Sequence, residues 1–202
     1  MITVGITGGI GSGKSLVCKI FEVTGSPCYY ADDRAKALMN EDPELAEKLK
    51  YHFGADIYED GHLNRAKLSG MVFNDPSKLQ TLNDIVHPAV GKDFDRWRAQ
   101  STSDIVFKEA ALLVESGSYK NLDFLICVTA PDETRIKRVM KRDQVSREDV
   151  LNRMKNQWKQ EEKAAKSDYV IENNGNELLL PKVMRVYEEL KQNAKTTQAE
   201  FK

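Results

Sequence analysis

The chain has 202 residues, 41% hydrophobic and 30% charged, which is enough apolar material for one large domain or a core with an inserted lobe and excludes the low-hydrophobicity, high-charge balance of a disordered chain. Thirty Lys and Arg against 31 Asp and Glu leave a net charge of -1, so no global basic field draws in nucleic acid or an anionic membrane. Three cysteines, Cys18, Cys28 and Cys127, have no CxxC spacing and argue against a disulfide framework or a zinc site.

The first predicted element is a short β-rich run, Ile2 to Ile6, which ends in glycines and is followed by helix-compatible spacing from Ser15 to Phe21. Gly25-Ser26-Pro27 breaks the chain before Cys28-Tyr29-Tyr30, read as a second buried strand that ends at Ala31-Asp32-Asp33. From about Arg34 to Gln100 the strand signal disappears. Helix starts are read there at Asp42-Pro43, Asp75-Pro76 and His87-Pro88.

Strand character returns at Ile105-Val106-Phe107 and at Phe124 to Val128, continuous apolar runs of the kind buried in a parallel sheet. Pro131 opens an Arg- and Lys-rich helix to about Arg142, and a second charged helix is predicted from about Ser146 to Lys166. Tyr169-Val170-Ile171 offers a last strand; after Asn173-Asn174-Gly175 comes an amphipathic helix and a polar tail, Asn193 to Lys202, expected to fray. Alternating strands and helices imply an α/β fold with a doubly wound parallel sheet, whose ligands bind outside the carboxyl ends of the strands. The chain opens on Met1-Ile2-Thr3-Val4 without a basic n-region, and no stretch approaches the roughly 20 apolar residues of a membrane span. A reducing, cytoplasmic setting is therefore expected.

Gly8-Gly9-Ile10-Gly11-Ser12-Gly13-Lys14-Ser15 is a phosphate-binding loop. Its glycines let backbone N–H groups curl around phosphate oxygens at a helix N-terminus, Lys14 reaches β- and γ-phosphates, and the Ser15 hydroxyl ligates Mg²⁺. The pattern arises by chance in about one chain in a hundred of this size, and its context of strand before and helix after lowers that further. By itself the loop does not separate a kinase from a GTPase or an ATPase.

Beyond the loop, Ala31-Asp32, His87-Pro88, Leu112-Leu113-Val114-Glu115 and Val170 to Gly175 stand at intervals along nearly the whole chain. With these signatures the sequence resembles the dephospho-CoA kinases, which phosphorylate the ribose 3′-hydroxyl of dephospho-CoA with ATP in the last step of coenzyme A synthesis. The resemblance implies a single domain over 1–202, a P-loop NTPase three-layer fold. Its core covers about 1–33, 103–135 and 167–192, a helical CoA-binding insert about 34–102, and a helical lid about 136–166. It implies ATP and Mg²⁺ as cofactors and dephospho-CoA as the small-molecule partner, with neither nucleic acid nor membrane, in a monomer or weak homo-oligomer.

Catalytic roles fall by this resemblance on Asp32, Lys14 and Arg142. ATP falls on Gly9, Gly11, Ser12, Gly13, Lys14, Ser15, Leu16, Arg138, Asn173 and Gly175; substrate falls on Asp32, His87, Leu113 and Glu115; the metal falls on Ser15. Several of these residues have a second reading on local chemistry. Asp32 is also a good N-cap, His87 a helix-start residue before proline, and Glu115 either a metal-water ligand or the partner of a nearby cation. Arg138 and Arg142, four apart on one helix face, form either a phosphate clamp or a solvated charged face, and the family's lid falls here, favouring Arg142. Asn173-Asn174-Gly175 either reads adenine or makes an ordinary turn.

Three positions depart from the family pattern. Leu16 stands where threonine is common, leaving its backbone N–H for the α-phosphate. Tyr30 replaces an acid, for which Asp33 or water must substitute. Ala111 replaces a proline, which loosens the backbone. A kinase of a nucleoside monophosphate or other small metabolite shares the architecture and stays open; a regulatory GTPase is disfavoured because Lys120-Asn121-Leu122-Asp123 has the wrong order for a guanine-reading motif.

Overall fold

The computed structural model describes residues 1–73 and 75–200, with side chains described to 195. In chain order, β1 (Ile2–Thr7), α1 (Lys14–Val23) and β2 (Cys28–Tyr30) are followed by α2 (Ala31–Glu41), α3 (Pro43–Phe53), β3 (Tyr58–Glu59), β4 (His62–Leu63), α4 (Arg65–Val72) and α5 (Pro76–Ala99). Then come β5 (Ile105–Glu109), β6 (Phe124–Thr129), α6 (Asp132–Asp143), α7 (Arg147–Lys155), α8 (Gln160–Ala164), β7 (Tyr169–Glu172) and α9 (Leu179–Glu200). The chain divides into two compact units, Met1–Tyr30 with Ser101–Lys202, and Ala31–Gln100.

The first unit is built on a five-stranded parallel sheet in the order β2-β5-β1-β6-β7. All six residues of β1 and all five of β5 are buried, as expected where both faces of a parallel sheet are covered. Alternate positions serve the two faces. Val4, Ile6, Phe107, Ile126 and Val128 join Val17, Phe21, Val183 and Leu190 in one core, with Phe21 stacked on Phe107 at 4.1 Å between ring centroids. On the other face a Cβ at Gly5 would lie 2.8 Å from Leu122 and 3.1 Å from Leu113, so any larger residue would have to push those leucines aside. The register sets Ile6 beside Glu109 and Glu109 beside Tyr30, so β1, β5 and β2 end in one row.

The second unit is helical with its own core. Leu45, Leu49 and Phe53, one turn apart along α3, are buried, and Val86, Val90 and Phe94 repeat that spacing on α5. Arg34 Nε and Nη2 donate to the two carboxylate oxygens of Asp93 at 3.0 and 3.3 Å, tying α2 to α5. The predicted starts at Asp42-Pro43 and Asp75-Pro76 are present, each aspartate accepting from two backbone N–H groups of the first turn.

Four expectations are corrected. His87-Pro88 does not start a helix; Pro88 lies inside the 24-residue α5, at an exposed position. The stretch from Arg34 to Gln100 is not free of strands: β3 and β4 pair around Asp60 (φ 49°) and Gly61 (φ 81°), the two positive-φ residues of a tight hairpin. The helix predicted over 146–166 is two helices interrupted at 156–159. The tail expected to fray from Asn193 is helical to Glu200, Phe201 and Lys202 lying outside the described residues. No helix of the described residues is long and apolar enough to cross a membrane.

Candidate active site

β1 ends at Thr7 and α1 begins at Lys14, so the loop between them joins the carboxyl end of the central strand to a helix N-terminus. Gly11 (φ 78°) and Gly13 (φ 99°) take the left-handed conformations that turn successive N–H groups to one side. Gly13 is the N-cap of α1 and supplies no side chain to its donors, which leaves the helix end open to an anion. Among the described residues the N–H groups of Gly11, Gly13 and Ser15 have no acceptor, and Ser12 Oγ is buried with no hydrogen-bond partner. These donors and the orphaned hydroxyl fit the triphosphate of ATP.

The carbonyls of the loop are each held. Lys14 Nζ donates to Gly8 O at 3.0 Å and Gly9 O at 3.4 Å. Arg135 Nε donates to Ile10 O at 2.9 Å, Arg138 Nη1 to Gly11 O and Ser12 O at 3.4 Å each, and Asn173 Nδ2 to Ser12 O at 2.9 Å. The carbonyls from Gly8 to Ser12 are thus all bound, while the N–H groups of Gly11, Gly13 and Ser15 have no acceptor among the described residues. This arrangement is a preorganised oxyanion host, because the dipoles need no reorientation when charge arrives.

Lys14 is 9% exposed, and its Nζ lies 3.8 Å from Glu109 Oε1, a carboxylate that is itself 7% exposed. Buried opposite charges persist only when paired, so strand β5 places an anion beside the loop's cation. The sequence reading missed Glu109. Its signal is an acid that closes the apolar run Ile105-Val106-Phe107 at the carboxyl end of a central strand. Asp33, expected to stand in for the acid absent at Tyr30, is bonded instead to Lys36 Nζ at 2.8 Å; the carboxylate in register with Tyr30 is Glu109.

Several expected roles move. Arg142, favoured as the clamp, is not brought to the loop: it lies about 6 Å beyond Arg138 along the axis of α6 and donates to Asp143 through Nε at 2.6 Å and Nη2 at 3.1 Å. Arg138 is the arginine on the loop, its Nη2 also bonding Asn173 O at 3.1 Å and Oδ1 at 3.3 Å. Asn173 is thus bonded through both ends of its amide to loop and arginine, and Gly175 (φ 85°) forms the turn behind it. Leu16 N–H donates to Gly13 O at 3.0 Å, so the amide expected to meet the α-phosphate is already satisfied.

Leu113, expected at the substrate, is 1% exposed, in the layer over Gly5. Glu115 takes the pairing role. Its Oε1 lies 2.7 Å from Nζ of Lys163, which is fully buried, and accepts from Trp158 N at 3.0 Å. Ala111 O, far from loose, accepts from Lys163 Nζ at 2.7 Å and Thr7 Oγ1 at 3.2 Å. These bonds require the interruption between α7 and α8, because a continuous helix would use the Trp158 N–H internally.

In the second unit, Asp32 is the second residue of α2, which begins immediately after β2. The N-cap reading is therefore corrected, since the residue lies within the first turn. Its carboxylate is exposed and has no hydrogen bond or ion pair among the described residues, while Asp33 next to it is paired. His87 is exposed on α5.

The dephospho-CoA kinase (CoaE) family matches residues 2–178. A dephospho-CoA kinase from Porphyromonas gingivalis is 41% identical over 189 residues, covering 93% of this chain and 94% of the relative. Among solved structures, TT1252 from Thermus thermophilus superposes with a TM-score of 0.83 at 36% identity, covering 93% of this chain and 96% of that one. Dephospho-CoA kinase from Campylobacter jejuni superposes with a TM-score of 0.69 at 27% identity, covering 95% and 98%. A phosphate loop on the central strand of a parallel sheet, in a sequence related to these proteins over almost its whole length, makes this chain a member of the dephospho-CoA kinase family.

Proposed function

We propose that the chain transfers the γ-phosphoryl group of ATP to the ribose 3′-hydroxyl of dephospho-CoA, forming coenzyme A. The observation that carries the phosphoryl-transfer chemistry is the loop from Gly8 to Ser15, with its carbonyls bound, the N–H groups of Gly11, Gly13 and Ser15 unpaired among the described residues, and Lys14 beside them. The acceptor follows from family membership.

The loop amides hold the β-phosphate, and Lys14 stabilises the charge that develops as the terminal group leaves, exchanging its bonds to Gly8 O and Gly9 O for phosphate oxygens. Arg138, one guanidinium away from the same loop, adds positive charge on the outer side. Asp32 accepts the proton of the attacking hydroxyl; an exposed carboxylate with no competing partner supports this assignment. His87, on the helical unit, contacts the acceptor, and Arg142 closes on the phosphates when lid motion releases it from Asp143.

A magnesium ion held here would supply positive charge to neutralise the phosphate oxygens. The Ser15 hydroxyl and Glu109 are the residues suited to hold it directly or through water. Among the described residues no group of three or more His, Cys, Asp or Glu could hold a metal, so an ion here would draw on one or two protein ligands. We place the protein in the cytoplasm as a monomer or weak homo-oligomer; three free cysteines support a reducing compartment.

Replacing Asp32 by Asn tests the mechanism. Turnover is expected to fall by a factor of about a thousand, within the range of a lost general base, while the dissociation constant of Mg-ADP stays at the parent value. Unchanged turnover removes Asp32 from the reaction.

A further inference from the structure

The two peptides that flank the Ile10 Cα are each held by a residue outside the loop. The Ile10 C=O accepts from Arg135 Nε at 2.9 Å and the Ile10 N–H donates to Gln157 Oε1 at 2.9 Å. Arg135 sits on the first turns of α6, 5% exposed, with Nη1 on Asp132 Oδ1 at 2.8 Å. Its guanidinium lies so close over Gly9 that a Cβ there would be 2.1 Å from Nη2. Gln157 lies in the interruption between α7 and α8, beside Trp158, whose N–H is bound to Glu115.

We propose that Arg135 and Gln157 form a two-point clamp on Ile10 that sets the phosphate loop in its anion-binding conformation, and that they are positioning residues for the nucleotide. This rests on the proposed function of the loop. Glycine-rich backbone has the most conformational freedom to lose on ordering, and a loop that must be frozen at binding loses affinity by the cost of freezing it. Fixing the peptide on each side of Ile10, one through its N–H and the next through its C=O, restricts the φ and ψ of that residue at the crown of the loop. The Gln157 bond also takes the Ile10 N–H out of the set facing the anion, leaving Gly11, Gly13 and Ser15. Because Gln157 belongs to the α7–α8 junction, a lid movement that shifts the junction changes the loop. Nucleotide affinity and lid position are thereby linked.

The test uses the full chain with Gln157→Met, which keeps the length and loses the acceptor, Gln157→Glu, which keeps an acceptor, and Arg135→Met. The readouts are the Kd of Mg-ADP by calorimetry and the KM of each substrate. Gln157→Met is expected to weaken ADP and raise the KM of ATP about tenfold, as for a buried donor left unpaired. The KM of dephospho-CoA stays within twofold, and Gln157→Glu restores most of the loss. The two methionine substitutions combined should cost less than the product of their separate effects, since both free the backbone of the same residue. Parent-like ADP affinity in both single variants overturns the clamp, as does an equal loss for both substrates. If Gln157→Met does not fold, the same inference stands or falls on whether Arg135→Met alone splits the two KM values. Failure of the unaltered protein to bind Mg-ADP overturns the proposed function itself and the clamp with it.

Discussion

The phosphate loop and the first turn of α2 both carry residues assigned to the reaction, yet they are built on opposite principles. In the loop each carbonyl from Gly8 to Ser12 has a partner, supplied by Lys14, Arg135, Arg138 or Asn173. Asp32 on α2 is exposed and has no partner among the described residues. The difference matches the two tasks. A host for a developing phosphoryl charge works by dipoles fixed in advance, whereas a proton acceptor must keep its lone pairs free until the hydroxyl arrives.

Substitutions that cross this boundary should be the most damaging. Lys14→Met removes a side chain that serves both loop geometry and transition-state charge. It is expected to lower kcat/KM by about a thousandfold, measured in a coupled ADP-release assay, while the KM of dephospho-CoA moves little. Glu109→Gln leaves the buried Lys14 without its counter-charge; a stability loss of about 3 kcal/mol, read from urea denaturation, should accompany the drop in turnover. If Glu109→Gln leaves stability untouched, the pair is not the anchor described.

Smaller effects sharpen the contrast within one helix. Arg138→Met should raise the KM of ATP by about tenfold, because it frees charged hydrogen bonds to the loop and to Asn173. Arg142→Met should leave ADP affinity nearly unchanged and act on kcat alone, since its partner is the carboxylate of Asp143, which its guanidinium already holds below the usual carboxylate range. Equal effects from both would mean that the two arginines act as one clamp. The least perturbing probe is chemical. Burial pushes the Cys127 thiol up to about 11, so at pH 8 the thiolate is scarce, and iodoacetamide should leave Cys127 unmodified in the folded protein by mass spectrometry but alkylate it in urea.

The same contrast explains what could be read before any coordinates. The loop was legible because its chemistry is local: eight consecutive residues, a strand before and a helix after, specify the turn and the anion site together. The parallel sheet was legible because β5 and β6 are continuous apolar runs. Asp-Gly at 60 and 61 carried a hairpin signal that was passed over in favour of helical spacing on both sides. Glu109 was hidden by its neighbours, since an acid at the end of a buried strand looks like the start of a loop until the adjacent strand proves to be β1, whose phosphate loop leads to Lys14 at the start of α1. The interruption at 156–159 had no local signal at all. It exists because Gln157, Trp158 and Lys163 make bonds to Ile10, Glu115 and Ala111, partners more than 40 residues away along the chain.

The assignment as a whole rests on one product. Purified protein incubated with dephospho-CoA and Mg-ATP should yield coenzyme A, detected by mass spectrometry as the acceptor plus one phosphoryl group, with AMP and free nucleosides left unphosphorylated under the same conditions. Phosphorylation of AMP or a nucleoside in preference to dephospho-CoA would contradict the account.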